Sequence, residues 1–213
     1  IEYAKAIASM GVDAIDVSSA GYDTFNYWLE PTSFELGWRK YLAEEVKKVV
    51  DIPVIAANLI RSPEQAEQQL NDGIQDFVSL GRPHIADPHW TNKVLTGKGT
   101  VKRCICCLNC IESMQTNAYS GSHGECSVNP YVGHEGEILV RNGDSRKIAV
   151  IGAGPAGLIC AEVLADRGFK VTLTTNGTLI DKRAELLLRL KPYKIVFSLH
   201  SFEANSITSS LEK

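Results

Sequence analysis

Four cysteines fall within seven residues, in the run CICCLNC at 104–110, and a fifth, Cys126, follows after fifteen intervening residues. Cys104, Cys107 and Cys110 are spaced C-x2-C-x2-C, so one tight loop offers three thiolates and Cys126 supplies a fourth from a separate turn. That spacing suits an iron–sulfur cluster, in which three corners of a cube are reached locally. A tetrahedral zinc site usually draws on two separated C-x2-C pairs, and this segment has one. Zinc stays open as an alternative, as do unliganded thiols or a disulfide. Cys106 is left over, as a spare thiol or a competing ligand.

A second constellation lies in RKIAVIGAGPAGLICAEVLADRGF. Gly152, Gly154 and Gly157 form G-x-G-x-x-G, with Pro155 and Ala156 between them, directly after the apolar strand IAVI and directly before a helical pattern. Set between strand and helix, the glycines allow a tight turn, close backbone approach to a pyrophosphate, and close packing of helix on strand. The helix N-terminus would face the phosphates with free N–H groups and the positive end of its dipole. The next strand, KVTLTT, should end in an acidic residue to hold the ribose hydroxyls, yet Thr174 and Thr175 stand there. A Thr175 hydroxyl can bond a ribose oxygen, without the strength of a charge-assisted bond.

The elements that must position these groups alternate between helix and strand. Residues 1–10 carry a helical pattern before the strand VDAIDV; YLAEEVKKVV is a helix before the strand IPVIAA. SPEQAEQQLNDG is a helix with Ser62 as N-cap, Pro63 at its first position and Gly73 closing it, and QDFVSL is the third strand. Two helical crossovers imply parallel pairing and (βα)n architecture, with any site at the carboxyl ends of the strands. The first of those loops, SSAGYDTFNYWLEPTSFELGW, is long and aromatic, the form of a lid or substrate wall. Past Thr175 the pattern is weak: a helix at 181–190, a strand KIVFSL, and a polar tail EANSITSSLEK.

A net charge of −3 and the lack of any Lys/Arg run exclude an electrostatic footprint for nucleic acid or an anionic membrane. No basic leader or long apolar run opens the chain, which reads as a cytoplasmic protein. In that reducing compartment, crowded cysteines are metal ligands or redox groups more often than disulfides.

In their order, SLGRPHIADP, then CICC with further cysteines, then CSVNP and GHE, then IGAGPAG resemble the iron–sulfur flavoenzyme branch of the old yellow enzyme family. That branch includes 2-enoate reductase, 2,4-dienoyl-CoA reductase and trimethylamine dehydrogenase, and the similarity runs from residue 1 to about 175. The stretch from GYDTFNYWLEP to SPEQAE resembles the enoate reductase side most.

The resemblance implies an α/β fold: the C-terminal part of a TIM (β/α)8 barrel at 1–97, strands 6–8; a cysteine-rich iron–sulfur segment at 98–145; and the start of a Rossmann-like FAD/NAD(P)-binding domain at 146–213. It implies FMN, a [4Fe–4S] cluster, FAD and NAD(P)H, with electrons reaching an activated C=C bond of an enoate or enoyl-CoA type substrate. Asn58 and Leu59, as backbone donors, and Gly81 and Arg82 correspond to the FMN phosphate loops. Cys104, Cys107, Cys110 and Cys126 correspond to the cluster ligands, and Gly152, Gly154, Pro155, Ala156, Gly157 and Thr175 to the dinucleotide loop. Tyr22, Asp23, Tyr27 and Trp28 are the substrate-loop candidates, Asp23 standing where some relatives place a catalytic histidine. Cys106 sits where a glycine is common. Five barrel strands would precede residue 1, so the chain reads as a fragment, inactive alone, whose open edge invites self-association or another chain. The rival expectation is a non-catalytic relative with a structural zinc site and an empty dinucleotide loop.

Overall fold

The computed structural model describes residues 1–177 and 180–198, which divide into two compact units, Ile1–Gly136 and the part from Glu137 onward. The expected polar tail and the last residue of KIVFSL lie outside the described residues.

In the first unit, α1 (Glu2–Ser9) leads to β1 (Ile15–Val17), α2 (Phe25–Trp28) lies in the following loop, and α3 (Lys40–Lys47) leads to β2 (Val54–Ala56). Next come α4 (Pro63–Asn71), β3 (Phe77–Val78), α5 (Arg82–Ala86), α6 (Trp90–Thr96) and α7 (Asn109–Asn117). The strands pair in parallel in the order β1-β2-β3, with Ile15 opposite Val54 and Ile55 opposite Phe77. They are shorter than the apolar runs that mark them. Pro53 has no N–H to give the ladder, so β2 starts after it, and the Pro53 carbonyl accepts from Ile15 N–H at 2.9 Å. At α4, Ser62 Oγ accepts from Gln65 N–H at 3.2 Å, Pro63 takes the first position, and Gly73 follows the helix at φ +67°. Ala43, Val50, Val54, Ala56 and Ile74 form the core under the sheet.

Two stretches without a helical signature are helical. Tyr22–Thr24 is a 3-10 turn that runs into α2, where Tyr22 and Phe25 each meet Trp28 edge to face. α7 occupies the gap between Cys110 and Cys126. Its Ser113 hydroxyl donates to the Asn109 carbonyl at 2.7 Å and accepts from Glu125 N–H at 2.7 Å, tying the helix to the residue before Cys126.

α5 and α6 are joined through Asp87, which is 2% exposed. Its carboxylate accepts from Lys93 Nζ at 2.6 Å, Lys102 N–H at 2.9 Å and His89 N–H at 3.1 Å. Burial pushes this carboxyl up, but the Lys93 ammonium and the two backbone donors outweigh it and hold it below its ordinary 3.8. Asp87→Asn is expected to cost about 1–3 kcal/mol at neutral pH. A carboxyl depressed on folding contributes fully above its unfolded value and less as pH falls through its folded one. The gap between parent and variant in urea unfolding should therefore narrow only below pH 3.8.

The second unit contains β4 (Lys147–Ile151), α8 (Pro155–Asp166), β5 (Lys170–Thr175), α9 (Ile180–Leu190) and β6 (Lys194–Phe197), with the strands parallel in the order β4-β5-β6. Val150, Leu158, Ala161, Val171, Leu173, Leu187 and Leu190 form its core. No helix among the described residues is long and apolar enough to cross a membrane.

Candidate functional site

In the first unit the carboxyl ends of all three strands open onto a cavity of about 320 Å³. Ser18 follows β1, Ala57 and Leu59 follow β2, and Ser79, Gly81 and Arg82 follow β3; Trp28, Glu30 and Arg39 reach in from the long loop, and Cys104 and Cys106 from the cysteine segment.

The floor of this cavity is charged. Glu30, 1% exposed, receives Arg39 Nη2 at 3.1 Å and Arg82 Nη2 at 2.8 Å on its two carboxylate oxygens, and Trp38 Nε1 donates to it at 3.3 Å. Arg82 Nη1 donates to the Glu30 carbonyl at 2.7 Å. Arg39 spends its other donors on the Ala57 carbonyl, the Ser19 hydroxyl and the Tyr27 carbonyl, stitching the loops after β1 and β2 to α2. Two guanidiniums against one carboxylate leave this triad itself one unit positive. Glu30 and Arg39 escape a reading by motif. Nothing in PTSFELGW, the stretch between them, marks either as a cavity residue.

Leu59, Gly81, Arg82 and Trp28, singled out from sequence, line the cavity. Asn58 does not: its Nδ2 donates to Gln69 Oε1 at 3.1 Å and to Gln75 Oε1, holding it behind the wall. Leu59 takes φ +49°, which turns the chain where β2 meets the cavity. Tyr22 and Tyr27 are 83% and 52% exposed, and Asp23 is also exposed. Tyr27 stacks against Phe34 and Trp38 at 5.9 and 5.7 Å.

The cysteine segment is pinned to this cavity by its backbone. Arg61 Nε donates to the Cys104 carbonyl at 2.7 Å, and the Thr32 hydroxyl donates to the Ile105 carbonyl. Asn129, the buried asparagine of CSVNP, donates to the Ile85 carbonyl at 2.9 Å and anchors the far side. Cys104, Cys106 and Cys110 are buried, Cys126 is half-buried, and Cys107 is exposed beside Ser127 Oγ at 3.4 Å. Cys106 adopts φ +52° and Leu108 φ +62°, the left-handed region that favours glycine. This accounts physically for a glycine being common at Cys106 in the family it resembles.

The Cys106 thiol hydrogen-bonds to Cys104 and, with the Cys106 backbone N–H and the charges of Arg82 and Arg61, brings Cys104 down to about 6 against burial. The same bond pushes Cys106 up. Burial, then the negative charge of Cys104 and Cys126, raises Cys110. Among the described residues no three His, Cys, Asp or Glu side chains already stand together as a closed metal site. The donor chemistry nonetheless fits a thiolate-bound group: Cys104, Cys110 and Cys126 lie close enough for their charges to act on one another, and two arginines favour the thiolate form.

In the second unit, Gly152 takes φ +101°, and a Cβ on Gly157 would meet the Gly152 carbonyl oxygen at 1.8 Å, so both positions require glycine. Around Gly154 a Cβ would meet nothing within 4 Å, which leaves room for a ligand at the start of α8. Pro155 holds the first helical position, with Ala156 behind it. Thr175 Oγ1 accepts from Gly177 N–H at 3.1 Å and closes its own turn.

The first unit thus sets an arginine-lined cavity beside clustered thiols, and the second is built on a glycine-turned βαβ. Residues 1–100 match the model of the NADH:flavin oxidoreductase / NADH oxidase family, and residues 150–195 match that of an NAD(P)-binding Rossmann-like domain. It is 41% identical over 176 residues to an NADH oxidase of Thermoanaerobacter brockii, covering 81% of this chain and 27% of that protein. It is 35% identical over 182 residues to a cinnamate reductase of Clostridium sporogenes, covering 84% and 27%. The chain thus spans about a quarter of the length of these relatives. Histamine dehydrogenase from Rhizobium sp. 4-9 superposes with a TM-score of 0.70 at 25% identity, over 95% of this chain and 32% of that one. A 2-naphthoyl-CoA reductase at 22% identity shares the fold, with a TM-score of 0.69 over 97% and 35%.

Proposed function

We propose that this chain forms part of an NAD(P)H-dependent flavin and iron–sulfur oxidoreductase that reduces an activated C=C bond of an enoate or enoyl-CoA type substrate. One observation carries the reading: Arg82 and Gly81 share a single cavity with Cys104 and Cys106. A flavin phosphate held by the one pair would lie against a redox group held by the cysteine segment. The relatives named NADH oxidase and cinnamate reductase support the same reaction class.

In this reading 1–97 supplies barrel strands 6–8, 98–145 the cluster segment and 146–213 the beginning of the FAD/NAD(P)H domain. Leu59 and Gly81 offer backbone N–H groups to the FMN phosphate, and Arg82, oriented by Glu30, offers charge. Asn58 acts from behind, by bracing the loop. Cys104, Cys107, Cys110 and Cys126 would hold the [4Fe–4S] cluster, and Gly154 gives a dinucleotide its approach to α8. The flavin would supply hydride chemistry. Trp28 shapes the substrate side of the cavity and helps exclude water, while Tyr22, Asp23 and Tyr27 lie on the solvent side of the same loop.

Anaerobic reconstitution of the chain with iron and sulfide should give broad visible absorption that dithionite bleaches. Cys104→Ser and Cys110→Ser should each lower bound iron at least tenfold, whereas Cys106→Gly should retain it and relieve a left-handed side chain. A colourless protein with stoichiometric zinc would replace this reading with a structural zinc site.

A further inference from the structure

A pair of histidines on either side of Cys126 is a feature that the flavin and cluster reading does not use. His123 Nε2 and His134 Nε2 lie 2.9 Å apart, with ring centroids 4.5 Å apart and ring planes at 85°. Both residues are exposed. His123 Nδ1 lies 2.8 Å from the Gly124 carbonyl. A carbonyl only accepts, so Nδ1 carries the proton and the neutral ring turns the lone pair of Nε2 toward His134. That is the tautomer and backbone brace of a metal-ligating histidine.

The pair is held in place from several directions. Asn117 Nδ2 donates to the His123 carbonyl at 2.9 Å, and His134 N–H donates to the Tyr131 carbonyl at 2.8 Å. Gly133, at φ +80°, packs its backbone on the His123 ring so closely that a Cβ there would sit 2.4 Å from Cγ. An exposed imidazole–imidazole hydrogen bond competes with water and contributes little by itself. The two rings are nevertheless fixed at a separation that matches one edge of a coordination shell. With metal–nitrogen bonds of about 2.1 Å, donors at a right angle stand about 3.0 Å apart.

The geometry points to His123 and His134 as a two-histidine surface site for a divalent transition ion that takes imidazole donors at right angles, such as Ni2+ or Cu2+, with water completing the shell. In the ion-bound form both imidazoles carry their proton on Nδ1 and both Nε2 lone pairs face the metal. The site is separate from the cysteine ligands and takes a free ion rather than a cluster.

The test is titration of the untagged, cluster-loaded chain with NiCl2, followed by calorimetry and near-ultraviolet absorption. One ion per chain is expected, with no new sulfur-to-nickel charge-transfer band added to the cluster's own absorption. His123→Asn and His134→Asn should each weaken binding at least tenfold, and Cys160→Ser, at an exposed cysteine of the second unit, should leave it unchanged. Gly133→Ala keeps both imidazoles but displaces the His123 seat, and it too should weaken binding, even if a histidine variant were to fold poorly. Undiminished binding in either histidine variant, or a new sulfur-to-nickel band appearing on titration, would overturn the assignment.

Discussion

Glu30→Ala is expected to destabilise the first unit by about 3–5 kcal/mol, among the largest effects of any single substitution in this chain. The Glu30 side chain is 1% exposed, while its partners Arg39 and Arg82 are 11% and 15% exposed. Removing the carboxylate leaves two guanidiniums side by side, away from water and without an anion between them. Arg39 keeps its bonds to Ala57, Ser19 and Tyr27, so it cannot swing out to solvent without undoing the loops after β1 and β2. Arg82 has less to hold it, and its drift would also dismantle the phosphate side of the cavity. Glu30→Gln keeps the shape and some hydrogen bonds and should fall between parent and alanine variant. The three tryptophans, Trp28, Trp38 and Trp90, all lie in the first unit, so their fluorescence during urea unfolding reports this unit alone. A loss under about 1 kcal/mol would mean that the ion triad is open to water and does not organise the cavity.

That triad also shows where reading by sequence stops. The parallel βα units are legible because each helix carries its own start and stop chemistry: Ser62 and Pro63 open α4, and Gly73 closes it at a positive φ. Strand ends are less legible, since QDFVSL reads as a strand over six residues while the ladder pairs only Phe77 and Val78 on β3. Arg82 stands where the sequence puts it, on the cavity, but its partner Glu30 lies 52 residues away and belongs to an aromatic loop with no periodicity. Such a pairing depends on how the loop closes, and loop closure leaves no local pattern. The cysteines divide along the same line. Their spacing singles out a liganding segment, yet the contacts that hold it, Arg61 to the Cys104 carbonyl, Thr32 to the Ile105 carbonyl and Cys107 to Ser127, join residues distant in the chain. The helix at Asn109–Asn117 was invisible because Ser113 stabilises it from within and by reaching Glu125, not by an apolar stripe.

The glycine loop supports a prediction in which two neighbouring glycines part ways. Gly157→Ala would bring a Cβ to 1.8 Å from the Gly152 carbonyl oxygen and 3.0 Å from its carbon. Both are backbone atoms, and Gly152 is itself at φ +101°, so no side-chain rotation relieves the clash. Either α8 moves off the sheet or the turn after β4 opens, and each route uncovers Val150 and Leu158 in the core. A cost of about 3 kcal/mol or more follows, at the upper end of overpacking penalties. Gly154→Ala meets no atom within 4 Å and needs no unusual backbone, since Gly154 lies at φ −71°. The second unit should therefore fold normally in that variant. If the space beside Gly154 is where a pyrophosphate approaches the start of α8, the added methyl occupies it, and dinucleotide affinity should fall at least tenfold. Amide hydrogen exchange at Val150 and Leu173 separates the two effects: protection lost in Gly157→Ala, kept in Gly154→Ala. Calorimetric titration with NADH and with FAD then reads the binding. A Gly154→Ala chain that binds both as tightly as the parent would show that the open space is not the phosphate seat.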